Sequence, residues 1–165
     1  MPDVAGYVDW FALLVATTAI VAAALSDGSR YLIPNRYPAA IVVAFCVFAI
    51  GKPMQFWLPS LAVGAMLLAL GTVFFARGIM GGGDVKLLSA IGLWAGLERL
   101  ELLMLVMALV GGVLALIKLI PFQRLAPASP EIADAGWRAW LQYPIPYGIA
   151  IAAGGVSVAL SHVVS

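Results

Sequence analysis

The sequence predicts an all-α polytopic membrane protein with six transmembrane helices, forming a single membrane-embedded domain over residues 1–165. Three observations predict it. Of the 165 residues, 64% are hydrophobic and only 10% are charged, against about 45–50% and about 25% in a soluble domain. Mean hydropathy is +1.06. The few charges are also clustered, so that long uncharged runs separate them. A soluble chain of this size leaves much of its surface in water and cannot hide so much apolar area. An ordinary cytosolic globule, a disordered chain and a disulfide-stapled secreted module are therefore excluded.

A helix needs roughly 20 mainly apolar residues to cross a bilayer. The first uncharged run covers residues 10–26 and extends back to 7 with Asp9 at the interface, giving a span of about 7–26. The second, about 37–51, is slightly short, and the third, about 55–76, is ample. The fourth is too short over 87–97 and reaches a usable length only by taking in residues 81–86, giving about 82–97. The fifth and sixth cover about 101–120 and 142–164. The sizeable loop, 121–143, contains a stretch at 131–140 that mixes acids with Arg138, Trp137 and Trp140. It reads as a short interfacial helix, because tryptophan favours the headgroup zone. No Lys or Arg precedes Arg30, so the basic start of a cleavable signal peptide is lacking and the first span is expected to be retained.

Basic residues orient the spans. Arg30 and Arg36, Arg77 and Lys86, and Lys118, Arg124 and Arg138 fall in three loops on one side, seven of the nine Lys/Arg. Lys52 and Arg99 fall on the other. The positive-inside rule places the seven in the cytoplasm, and both termini then lie on the outer, periplasmic side.

Six of the eight acidic residues sit in termini or loops, where water solvates them; Asp27 and Asp84 do not. Asp27 stands where span one ends, and Asp84 must enter span four to give it length. An ionisable residue inside a span costs about 2.5–3.5 kcal/mol on insertion scales, so it usually has a use or a partner. The orientation puts both near the cytoplasmic face, where they can meet. Two carboxyls brought together do not readily both ionise: one keeps its proton as an acid while the other activates water as a base, and the pair titrates as a unit. That is the chemistry of aspartyl peptide hydrolysis, which needs neither metal nor cofactor. Each aspartate alone has a plainer structural reading. Asp84 can cap span four at its dipole, and Asp27 can pair with Arg30.

Their surroundings favour the pair. Asp84 follows Gly81-Gly82-Gly83 and precedes Val85-Lys86-Leu87. Glycines let backbone approach closely, and irregular backbone at membrane depth survives where it is buried or lines a water-filled cavity. Asp27 precedes Ile33-Pro34-Asn35, a turn bounded by Pro34, with Asn35 able to cap span two. Gly78 with Gly82, and Gly92 with Gly96, have the spacing of helix-packing pairs.

Together these residues resemble the type IV prepilin peptidases, a family of Gly-x-Gly-Asp intramembrane aspartyl proteases. The family's first aspartate precedes an Ile-Pro-Asn turn, as Asp27 precedes Ile33-Pro34-Asn35. Its second lies in Gly-x-Gly-Asp-x-Lys-Leu, matched by Gly81, Gly83, Asp84, Lys86 and Leu87. A Pro-Tyr/Phe-Gly run opening its last span is matched by Pro146-Tyr147-Gly148. Three elements in order, over residues from about 20 to 155, are far more specific than Gly-x-Gly-Asp alone. The resemblance implies a bacterial inner-membrane enzyme that removes the short basic leader of prepilins and pseudopilins at the cytoplasmic face. It makes Asp27 and Asp84 catalytic, and Gly81, Gly83, Lys86, Ile33, Pro34, Asn35, Pro146 and Gly148 candidates for shaping the site or binding substrate. Longer members carry a paired-cysteine domain linked to N-methylation. Here Cys46 is the single cysteine, and the compact form is similar to the peptidases of Flp/Tad-type pilus systems. Archaeal preflagellin peptidases are similar too. Presenilin-like proteases share Gly-x-Gly-Asp but place a tyrosine before the first aspartate, where this chain has Ser26.

A prepilin substrate and membrane lipid are thus the expected partners. The net charge of +1 gives no reason to expect nucleic acid. One histidine, His162, makes neither a triad nor a metal site and reads as structural. Cys46 reads as packing, with no base beside it in sequence. Lys86, two residues from Asp84, diverges from it on a helix; it reads equally as a leader or lipid-phosphate contact and as a basic interface anchor. The competing class is a small multi-pass transport or scaffold protein whose aspartates bind a cation or relay protons.

Overall fold

The computed structural model of the chain describes residues 4–119 and 147–164. Every regular element among them is a helix: α1 (Val4–Arg30), α2 (Arg36–Ala49), α3 (Met54–Ala76), α4 (Gly82–Ala95), α5 (Leu100–Leu119) and α6 (Tyr147–Val164). The expected interfacial helix at 131–140 and the candidate Pro146 lie outside the described residues.

By length and composition, α1, α3, α5 and α6 are each able to cross a membrane, which makes this a multi-pass membrane protein. The other two helices are shorter. α2 and α4 have 14 residues each, or about 21 Å at 1.5 Å per residue, against a hydrocarbon core of about 30 Å. Glycines stop both. After α2, Gly51 turns the chain at φ 78°. α4 ends at Gly96, with φ 54° and ψ −161°, a conformation close to glycine's own territory. Gly96 is therefore a helix stop, not the packing partner of Gly92. Gly78 likewise sits outside a helix, at φ 69° in the turn after α3.

The short α4 is the hub. It packs on α3 most heavily and also on α2, α5 and α6. Val85, Leu87, Leu88 and every residue from Ala90 to Ala95 are buried. Small residues make this possible. A Cβ on Gly64 of α3 would stand 2.5 Å from Leu93, and one on Gly92 would stand 2.6 Å from Leu67, so each helix supplies a glycine notch for the other's leucine. Without a hydrophobic force between helices in lipid, such close packing is a main source of association. Polar ties add to it: Ser89 Oγ donates to the Gly64 carbonyl at 2.9 Å, and Trp94 Nε1 to the Ile41 carbonyl at 3.1 Å. α6 joins through Gly155, where a Cβ would meet Ile91 at 2.7 Å.

The outer helices keep large apolar side chains on the surface, among them Leu14, Leu25, Leu109 and Leu116, as lipid-facing positions should. Cys46 is on this exposed side of α2 and is not a packing residue. Asp9, expected to be held by water alone, lies within α1 and receives a bond from Lys52 Nζ at 3.0 Å. The same ammonium sits 3.2 Å from the Phe48 ring centroid, a cation–π contact. At this end of the bundle His162 lies 3.0 Å from the Trp94 carbonyl and packs edge-on against the Phe48 and Trp94 rings, which also touch each other. It is a packing and hydrogen-bonding residue there.

Candidate functional site

The end of the bundle away from His162 collects the motif residues from three parts of the chain. α1 does not stop at the expected residue 26 but continues to Arg30, so Asp27 is held in its last turn. The Tyr31 N–H closes that turn on the Asp27 carbonyl at 2.8 Å, and Tyr31 takes φ 51°. This left-handed residue ends the helix and turns the chain into Leu32-Ile33-Pro34. Asp27 is 6% exposed, and its Oδ2 is buried without a hydrogen-bond partner among the described residues. The backbone N–H groups of Gly148 and Ile149, in the first turn of α6, reach its carboxyl. The positive end of a helix faces a carboxylate there.

Asp84 occupies the third position of α4, after Gly82 and Gly83. Its side chain folds back to the backbone N–H of Gly81, as the third residue of a capping box does. The capping function considered from sequence is therefore present. Asp84 is half-buried and stands within electrostatic reach of Asp27. The two carboxyls are separated by 57 positions in sequence.

Ile33 is the piece between the segments. A Cβ on Gly83 would lie 3.0 Å from Ile33 Cβ, and one on Gly148 would lie 2.8 Å from Ile33 Cδ1 and 2.6 Å from Asp27 Oδ2. The buried Ile33 thus wedges against the starts of α4 and α6, and only glycine at 83 and 148 lets both helices close on it. Gly81 has a similar constraint, since a Cβ there would lie 2.9 Å from Asp84 Oδ2. Each of these glycines is a point of close approach, not of unusual φ.

Asn35 holds the cap position of α2 without capping it, for its side chain makes no cap hydrogen bond. It accepts instead from Lys86 Nζ at 2.9 Å. Lys86 is therefore neither a solitary interface anchor nor free; it ties the first turn of α4 to the turn after α1. Pro34 contributes its carbonyl to the Tyr37 N–H at 3.1 Å. Of the candidates within the described residues, Asp27, Ile33, Pro34, Asn35, Gly81, Gly83, Asp84, Lys86 and Gly148 all fall at this end. Sequence reasoning missed Ile149, whose N–H reaches Asp27 and whose Cδ1 would lie 3.3 Å from a Cβ on Gly28. Its position directly after the Pro-Tyr-Gly run was the available signal. Among the described residues no three His, Cys, Asp or Glu side chains cluster as a metal site would need.

The arrangement thus gathers two carboxyls at one end of the bundle, one beside a helix N-terminus and one in the first turn of a helix that opens on glycines. A family model described as the type IV leader peptidase family matches residues 14–116. The prepilin leader peptidase/N-methyltransferase of Aeromonas salmonicida is 30% identical over 143 residues, covering 79% of this chain and 48% of its own length. The protein of that name in Pseudomonas aeruginosa is 31% identical over 168 residues, 82% of this chain and 53% of its own. In Neisseria gonorrhoeae it is 25% identical over 141 residues, 78% and 48%. The chain spans about half the length of the curated relatives it matches. No solved structure matches it significantly.

Proposed function

The chain belongs to the type IV leader peptidase family, and on that footing we propose that it is an intramembrane aspartic endopeptidase that removes the leader of type IV prepilins and pseudopilins. Its relatives carry the name prepilin leader peptidase. The observation that carries the proposal is that Asp27 and Asp84, from two separate helices, lie at one end of the bundle, with Asp84 within electrostatic reach of Asp27.

In this reading one carboxylate takes a proton from the water as its oxygen attacks the scissile carbonyl. The other, protonated, carboxyl donates to the carbonyl oxygen. The tetrahedral diol then collapses: the C–N bond breaks, the departing amine receives a proton from the carboxyl that had gained one, and the other carboxylate takes back a proton from a diol hydroxyl, which restores the starting pair. The small residues at 81–83 let extended substrate backbone approach Asp84. The substrate helix must be unwound at the cut, and a glycine there unwinds readily.

We further propose six passes in one membrane-embedded domain, with both termini outside and the aspartates at the cytoplasmic face of a bacterial inner membrane. The seven-to-two split of basic residues supports that orientation. The short α2 and α4 fit six passes if irregular backbone continues their path at depth, which is tolerated beside a water-lined cavity. A beginning of α4 below the membrane surface also gives water a route to Asp84. The Flp-type pilins are the proposed substrates, on the compactness of the domain.

The test is cleavage in liposomes with purified wild type, Asp27→Asn and Asp84→Asn, a Flp-type prepilin as substrate, and the new N-terminus read by mass spectrometry. Wild type should cut at the leader junction, while both variants insert and fold but do not cut. Cleavage by both variants at the wild-type rate would return the aspartates to capping and helix-end roles. Reporter fusions at the two termini test the orientation separately.

A further inference from the structure

A cavity lies at the same end of the bundle, on a different face of α1 from Asp27. Its volume is about 250 Å³, and Ala22, Leu25, Ser26, Ser29, Arg30, Arg36 and Tyr37 line it. At 100° per residue, residues 22, 25, 26 and 29 occupy the side of α1 turned away from Asp27. Asp27 is buried while Leu25 is 69% exposed. The cavity is therefore separate from the aspartate site and opens toward the surroundings of the bundle.

Its chemistry is one-sided. Two arginines line it, and neither Arg30 nor Arg36 forms an ion pair with a carboxylate among the described residues. Arg36 is pre-set: its guanidinium lies 4.9 Å from the Tyr37 ring centroid and donates to Tyr37 Oη at 3.0 Å. It keeps further N–H donors, and Tyr37 keeps its own O–H. The serines are different. Ser26 Oγ donates to the Leu32 carbonyl at 2.8 Å, and Ser29 Oγ to the Leu25 carbonyl at 2.7 Å. Their protons are committed, so the donors are two arginines and a phenol. Two arginine forks suit the planar, multi-oxygen acceptor that a phosphate presents. The position suits a lipid. Arg30 is the first basic residue after a long apolar helix, at the level where headgroups begin, and exposed Leu25 lies on the acyl-chain side. Basic pockets of this kind between membrane helices bind anionic headgroups.

We propose that Arg30, Arg36 and Tyr37 form a binding site for a phosphate oxyanion, supplied by the headgroup of an anionic phospholipid seated between α1 and α2. The site stands on the cavity and its donors, independently of the peptidase reading.

The experiment is lipid retention by native mass spectrometry. The whole protein is delipidated in detergent and offered phosphatidylglycerol or phosphatidylcholine, with inorganic phosphate as a soluble competitor. Wild type should retain phosphatidylglycerol at least tenfold over phosphatidylcholine. Arg30→Gln/Arg36→Gln should lose that preference, and Tyr37→Phe should weaken it severalfold. Arg77→Gln, which removes a basic residue outside the cavity, should keep it. Tyr37→Phe and Arg36→Lys also carry the test if the double variant does not fold, which circular dichroism and gel filtration will show. If millimolar phosphate leaves the lipid in place, the source is the headgroup; if phosphate binds alone and displaces it, the oxyanion site stands with a soluble source. Equal retention by wild type, the double variant and Tyr37→Phe, or equal loss in Arg77→Gln, overturns the proposal.

Discussion

Replacing Gly148 by alanine tests the placement of Asp27 without touching a carboxyl. The new Cβ would stand 2.6 Å from Asp27 Oδ2, 2.8 Å from its Cγ and 2.8 Å from Ile33 Cδ1. Ordinary contact begins at 3.4 Å, so relief needs a shift of about 0.8 Å at the carboxyl and about 0.6 Å at Ile33. Asp27 is buried and sits in a helix, so the shift falls on the carboxyl or on the start of α6, whose N–H groups reach it. A misplacement of about 1 Å costs on the order of 100-fold in rate. Overpacking of this kind costs about 1–3 kcal/mol of stability, partly offset by removing a glycine from a helix, worth about 1 kcal/mol. Gly148→Ala should therefore fold and insert with a lowered melting temperature, while kcat for leader cleavage falls about 100-fold and KM changes little. Adding Ile33→Val removes Cδ1 and its share of the crowding, so it should recover stability more than rate. Gly112→Ala, inside α5 where a Cβ meets nothing within 4 Å, is the control: it should leave the rate unchanged and raise stability by about 1 kcal/mol through the lost helix glycine. A folded Gly148→Ala protein that cleaves at the wild-type rate would refute the idea that Asp27 must sit where α6 holds it.

Three further outcomes follow from the same geometry. Lys86→Met breaks the bond to Asn35, worth about 0.5–1.5 kcal/mol; if that bond only positions α4, the rate should fall no more than about tenfold, and Lys86→Arg should restore most of it in the same cleavage assay. Gly92→Val places side-chain atoms where Leu67 packs, since even a Cβ would lie 2.6 Å from it, and should abolish monodisperse folded protein in gel filtration, with Gly92→Val/Leu67→Ala partly recovering it. The cleavage rate of wild type should be bell-shaped in pH, because the paired carboxyls must share one proton between them; a rate that rises to a plateau on a single titration would exclude that sharing.

Some of this was legible in the sequence and some was not. Hydropathy and charge are local quantities, so the helical membrane class could be read from composition and uncharged runs. The family could be read as well, because its motifs are short segments whose residues are neighbours in the chain. Helix length was less legible. The uncharged run at 10–26 does not reveal that α1 continues through Asp27 to Arg30, since the backbone conformation of Tyr31, at φ 51°, sets where the helix stops. Gly96 misled for the same reason: spacing from Gly92 suggested packing, and backbone geometry made it a stop. Cys46 and Asp9 turned on which helix face meets a neighbour, which no single run of residues states.

By itself the sequence determined the helical, membrane-bound character of the chain, its family, and the set of residue types at one end of the bundle, because each of these is written in contiguous residues. Only the tertiary structure decided that Ile33 wedges between Gly83 and Gly148, that the first turn of α6 reaches Asp27, and that Lys86 bonds Asn35 across 51 positions. Those contacts join segments remote in the chain, and they exist because α4, walled by α2, α3, α5 and α6, brings its glycine-rich start against Ile33 in the turn after α1.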